Sequence, residues 1–135
     1  MIESNTVQVT PFLRVSDLNG SLSFYKSILG FSCPLRQGDY AYVSRERAAI
    51  RLLVAENPEQ LHEPQIVYID VHDIAVVLEQ IHQSLNSLPD GRWKGPIDQL
   101  WDMRELIVYD PDGHIITFGQ GIGSNANQWR QHDPR

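Results

Sequence analysis

One short element occurs twice. Val15-Ser16-Asp17-Leu18 is matched 56 positions later by Val71-His72-Asp73-Ile74. The apolar stripe Leu18, Leu22, Tyr25 and Leu29 returns at the same offset as Ile74, Leu78, Ile81 and Leu85. Both stripes have helical spacing, and in both a Ser or Asp side chain before the first apolar residue supplies an N-cap oxygen. Strand, cap and stripe agreeing together point to a duplicated unit rather than to chance.

Around each helix the chain alternates with the period of a sheet. Val7, Val9, Pro11, Leu13 and Val15 interleave with Gln8, Thr10, Phe12 and Arg14, predicting a strand over residues 7–15 with two chemically different faces. Pro11 cannot donate to a ladder, so this strand is expected to lie at an edge or change sides there. After the first helix, closed by Gly30, strands are predicted at 31–35, 40–44 and 48–55, with turns at 37–39 and 45–47. The second unit opens with a strand at 66–71. After its helix come a weak strand at 91–94 and strands at 105–109 and 114–118, the last two joined by the turn Asp110-Pro111-Asp112-Gly113. The segment 56–64 links the halves. This predicts an α+β fold of two tandem β-α-β-β-β modules, residues 7–56 and 65–120, with eight strands and two main helices in a single domain spanning 1–120. Residues 121–135 read as a polar, loose tail with Trp129 the one residue able to dock.

The 135 residues are enough for one core without staples, and 41% hydrophobic with 21% charged residues is globular rather than disordered. A net charge of -6 opposes nucleic acid and anionic lipid, so neither is expected as a partner. No apolar run approaches the roughly 18 residues of a membrane span, and the amino end lacks a basic start with an apolar signal core, so a cytoplasmic protein is expected. Cys33 is the lone cysteine, beside Ser32 and Pro34 and without a neighbouring base, and reads as a half-buried small hydrophobe.

The five histidines, His62, His72, His82, His114 and His132, include no close helical pair, and His72 and His114 are expected at the surface. There is no GxGxxG or Walker sequence. Gly119-Gln120-Gly121-Ile122-Gly123 has no helix after it and reads as a flexible exit. An irregular loop is expected between Trp93 and Trp101, where breakers Gly95 and Pro96 stand, and the indoles there can offer an aromatic platform or simply cover the sheet end. Alternation groups Thr10, Phe12 and Arg14, then Ala49, Arg51 and Leu53, then Ile115, Thr117 and Gly119 on the other strand face. Meeting around a hollow with Glu105, they would suit a medium-sized organic molecule, with no nucleophile beside a base.

Phe12-Leu13-Arg14-Val15-Ser16-Asp17-Leu18, Ser21-Leu22-Ser23-Phe24-Tyr25 and Leu29-Gly30-Phe31 resemble the opening of the glyoxalase/bleomycin-resistance/extradiol-dioxygenase (vicinal oxygen chelate, VOC) superfamily. Trp101-Asp102-Met103-Arg104-Glu105, Asp110-Pro111-Asp112-Gly113-His114 and Phe118-Gly119 resemble the closing motif of its bleomycin-resistance-like branch. The resemblance implies paired modules in a curved mixed sheet around a cavity, a homodimer, and at Pro11 a proline linked to strand exchange. It also implies that enzymes of the superfamily bind a divalent metal at strand positions falling here on Thr10, near Arg51, on Ile66 or Gln65, and on Thr117. Hydroxyls are weak ligands and a guanidinium repels the ion, so no metal and no cofactor are expected. The resemblance then implies metal-independent sequestration of a small organic ligand of the antibiotic-resistance kind. The alternative is a metal-dependent glyoxalase- or dioxygenase-like lyase or oxidoreductase. The candidate ligand-binding residues are Phe12, Arg51, Tyr68, Trp93, Trp101, Met103, Glu105 and Thr117.

Overall fold

Both repeats fold into the same five-element order. In this computed structural model, which describes residues 4–129, the first module runs β1 (Phe12–Val15), α1 (Leu18–Ser27), β2 (Ser32–Gln37), β3 (Tyr40–Arg45) and β4 (Ala48–Val54). The second runs β5 (Ile66–Asp70), α2 (Ile74–Leu85), β6 (Trp93–Asp98), β7 (Met103–Tyr109) and β8 (Ile115–Gly121). The sheets are four-stranded and mixed, ordered β1-β4-β3-β2 and β5-β8-β7-β6. In each, the first strand lies parallel to the fourth and the remaining pairs are antiparallel. Among the described residues no helix is long and apolar enough to cross a membrane.

Two of the three local signals act as expected, and the side-chain cap of the first helix does not form. Asp73 caps α2 by accepting the Ala75 amide at 2.9 Å, whereas Asp17 stands at the N-cap of α1 without a side-chain bond. Gly30 adopts φ 75°, and the chain turns back so that the Phe31 amide donates to the Tyr25 carbonyl at 2.9 Å. This left-handed closure suits glycine, which has no Cβ to clash.

Inner strand faces and helix stripes make one continuous core. Leu13, Val15, Val43 and Leu52 pack with Leu22 and Tyr25, and that cluster joins Leu106, Val108, Ile116 and Phe118 under Ile74, Ile81 and Leu85. Removing each such side chain from water is worth roughly 1.5–3 kcal/mol, which is what holds the two modules together. Polar bonds fix the seam. Tyr25 Oη donates to Asp110 Oδ2 at 2.8 Å, and Arg45 donates to the Leu29 carbonyl at 3.1 Å and to Gln80 while lying over the Phe118 ring. Burial pushes the Tyr25 phenol up.

Several expectations are corrected. The first strand is paired only from Phe12, and Val7 and Val9 are 93% and 89% exposed, because the ladder ends at Pro11, which offers a carbonyl to the Arg51 amide but no N–H. The stretch between the tryptophans is not one irregular loop: residues 93–98 form β6, pairing with β7 on both sides of a shift between Lys94 and Ile97. His114 is buried, not at the surface, since Nδ1 accepts the Gln65 amide at 2.9 Å and Nε2 lies 2.7 Å from the Arg14 carbonyl. The glycine-rich exit is ordered: β8 continues to Gly121 and a 3-10 turn follows over Gly123–Asn125. Trp129 is half-buried, and the tail beyond it lies outside the described residues.

Candidate functional site

Opposite the core, each sheet presents an outer face. In the first, register places Phe12 and Tyr42 on either side of Arg51. The Arg51 Nε donates to Thr10 Oγ1 at 2.8 Å and its Nη1 to Tyr40 Oη at 2.5 Å. Its guanidinium carbon lies 5.0 Å from the Tyr42 ring centre and 5.9 Å from that of Phe12, inside the range where a cation is attracted to a ring. Phe12 is 56% exposed, so this aromatic and cationic surface is open.

The second outer face is organised around a carboxylate. Glu105 on β7 is 5% exposed. Its Oε2 accepts Tyr68 Oη at 2.8 Å and Trp101 Nε1 at 3.4 Å, and its Oε1 accepts Gln99 Nε2 at 3.1 Å. Three neutral donors therefore satisfy a buried charge without a cation. Tyr68 reaches it by lying across Gly119, where a Cβ would collide with the phenol oxygen; the glycine is needed for that approach. Burial first, and the bond to Glu105 second, push the Tyr68 phenol well above its ordinary range. Thr117, the register partner of Tyr68, is buried, as is Met103. Burial also pushes the Asp70 carboxyl up at the end of β5.

A tight turn shapes the rim of this face. The Asp102 amide donates to the Gln99 carbonyl at 3.1 Å, leaving Leu100 and Trp101 at the tip, 99% and 58% exposed. Asp102 takes φ 61°, uncommon outside glycine, and is held there by the Ser124 amide and hydroxyl. The hydroxyl bond, then the amide bond, draws its carboxyl below the usual range.

Of the eight candidate residues, the structure gathers Tyr68, Trp101, Met103, Glu105 and Thr117 on the second outer face, and Phe12 with Arg51 on the first. No hydrogen bond joins the two groups among the described residues. Trp93 joins neither: it packs against the core, its ring edge-on to His82 at 6.0 Å. Sequence reasoning missed Gln99, hidden in the turn without a pattern, and Tyr40 and Tyr42, which the alternation of β3 would have placed on the Arg51 face. A cavity of about 660 Å³ lies elsewhere, at the module seam between Arg45, Ala48, Val76 and Phe118, and none of the eight candidates lines it.

The four strand positions implied for a metal do not fit one. Thr10 and Arg51 are bonded to each other, so a fixed cation occupies the place of a ligand, and Thr117 with Ile66 or Gln65 supplies neither carboxylate nor imidazole. Among the described residues no group of three or more His, Cys, Asp or Glu could hold a metal ion.

Comparison with known proteins agrees with this architecture. Residues 6–118 match the Glyoxalase/Bleomycin resistance protein/Dioxygenase superfamily. Bleomycin resistance proteins of Geobacillus stearothermophilus and Staphylococcus aureus are each 27% identical, over 87% of this chain and 99% of theirs. Among solved structures, a bleomycin-binding protein complexed with bleomycin superposes with a TM-score of 0.71 at 22% identity, covering 84% of this chain and 98% of the other. That of Streptomyces verticillus complexed with copper(II)-bleomycin gives 0.70 at 21% identity, covering 90% and 99%. Two tandem modules and a family match over nearly the whole paired region together place the chain in the Glyoxalase/Bleomycin resistance protein/Dioxygenase superfamily, whose fold the superpositions share.

Proposed function

We propose that this protein binds and sequesters a small or medium-sized organic molecule without a metal, using the outer faces of its two sheets. The observation that carries the reading is the pair of preorganised aromatic faces, Phe12-Arg51-Tyr42 and Tyr68-Glu105-Trp101, each with its polar groups held before any ligand arrives. Such surfaces bind flat or apolar bodies and lose little to ordering when they do. The same faces leave Phe12, Ile66, Tyr68 and Trp101 exposed in one chain, which supports a homodimer in which each copy covers the other and encloses the ligand. The bleomycin resistance relatives support a role in antibiotic resistance. The metal-dependent lyase or oxidoreductase alternative has no carboxylate or imidazole at its four expected positions to support it.

The test is a titration followed by tryptophan fluorescence, using metal-free bleomycin and other bulky aromatic compounds, with sedimentation to give the oligomeric state. Saturable binding by a dimer, unchanged by added divalent metal, supports the proposal. Binding that appears only with metal, or a monomer that binds nothing, rejects it.

A further inference from the structure

Arg51 differs from the other partnered arginines. Among the described residues, Arg14, Arg45 and Arg92 donate to backbone carbonyls, and Arg104 donates to the Asp98 carboxylate. Arg51 donates only to the hydroxyls of Thr10 and Tyr40, which carry no charge to neutralise it. No carboxylate stands within 4.0 Å of it among the described residues, and the strand positions sharing its face add Arg14 and no acid. A guanidinium has five N–H donors in a fixed plane, so two bonds leave three, including both on Nη2, without a partner there.

We infer that Arg51 is a built receptor for an organic anion, so that the ligand of this face carries a carboxylate, sulfonate or phosphate-type group on an aromatic or apolar body. The inference rests on the proposed binding function and names the class of ligand for one of its two faces. The planar fork matches two oxygens of such a group, and the Nε and Nη1 bonds to Thr10 and Tyr40 fix its orientation in advance. Tyr42 and Phe12 at 5.0 and 5.9 Å shield the guanidinium from water without quenching its charge, and offer ring surface to the body of the ligand. The overall charge of -6 does not oppose this at contact, since charges beyond a Debye length of about 8 Å are largely screened. The misfit at the metal positions thus has a positive meaning: a permanent cation of the chain stands close to a position where the family resemblance implies a metal ligand, and an anionic group can dock on it without any ion.

The experiment uses two fluorescent probes that differ by one sulfonate, 8-anilinonaphthalene-1-sulfonate and N-phenyl-1-naphthylamine, titrated into the full chain at physiological ionic strength. The sulfonate is expected to bind about tenfold tighter than its neutral counterpart, a difference of about 1.4 kcal/mol. Arg51→Gln should bring the two within about threefold, chiefly by weakening the sulfonate, while Arg51→Lys, which keeps charge but not the fork, should retain part of the preference. Arg47→Gln, which removes an exposed arginine from the β3–β4 turn, should leave it intact. Melting curves confirm that each variant is folded, and if Arg51→Gln is not, the Lys variant decides: a reduced preference supports the inference and an undiminished one overturns it. Equal binding of the two probes to the wild type, or a preference that stays undiminished in Arg51→Gln, overturns the inference and leaves the binding function standing. If neither probe nor bleomycin binds, both fall.

Discussion

Arg51 and Glu105 sit on interior strands of the two sheets, at the centre of the two outer faces, yet their surroundings are opposite in kind. Glu105 is 5% exposed and its oxygens are met by Tyr68, Gln99 and Trp101; Arg51 is half-buried and three of its five donors have no partner among the described residues. A charge wholly satisfied inside the fold contributes to holding a surface in shape, while one left with spare donors is available to something outside. The duplicated module therefore carries two different faces on one scaffold. Glu105 is the structural anchor of its face, and Arg51 is the recognition group of the other.

The contrast can be broken by mutation. Glu105→Ala should have the largest effect on stability, about 2 kcal/mol by chemical denaturation, because three donors lose their acceptor together. Gly119→Ala should follow at about 1 kcal/mol: the added methyl displaces Tyr68, and the phenol should then titrate closer to the ordinary tyrosine range in ultraviolet absorbance. Arg51→Ala should cost less than about 1 kcal/mol, since its partners are hydroxyls that water can serve instead. A loss as large as that of Glu105→Ala would remove the distinction between anchor and recognition group.

The smallest effect concerns pH. The folded-state pKa of Tyr68 lies above its unfolded value, raised by burial and then by Glu105. Its contribution to stability is therefore complete below about pH 10 and is lost as pH rises through the folded value. The advantage of wild type over Tyr68→Phe should shrink above about pH 10, modestly because Tyr68 is 41% exposed and solvent screens it. A difference that stays flat or grows would contradict the bond to Glu105.

Much of this architecture is legible in the sequence because it rests on local chemistry. The repeat of Val15-Ser16-Asp17-Leu18 at Val71-His72-Asp73-Ile74 marks both strand-to-helix junctions, and alternation puts Phe12, Arg51 and Thr117 on outer faces, where the structure has them. The features that escape are decided by partners distant in the chain. His114 looks like a turn residue until the Arg14 carbonyl and the Gln65 amide close on its ring. Trp93 reads as a loop platform because Gly95 and Pro96 follow it, but pairing with Val108 turns the indole to the core. Gln99 carries no pattern, because its role depends on the turn that brings it over Glu105.

The central claim is that the outer faces serve an organic ligand and not a metal, and metal content is its most direct test. The full-length chain, purified without a metal-binding tag or chelator and then incubated with nickel, zinc, iron or manganese and desalted, is assayed by elemental analysis. The account expects well under about one-tenth of an equivalent of any of them per chain, as a donor set of hydroxyls around a guanidinium requires. Close to about one equivalent of a single metal, retained through desalting, would contradict it and move the family's metal-dependent chemistry ahead.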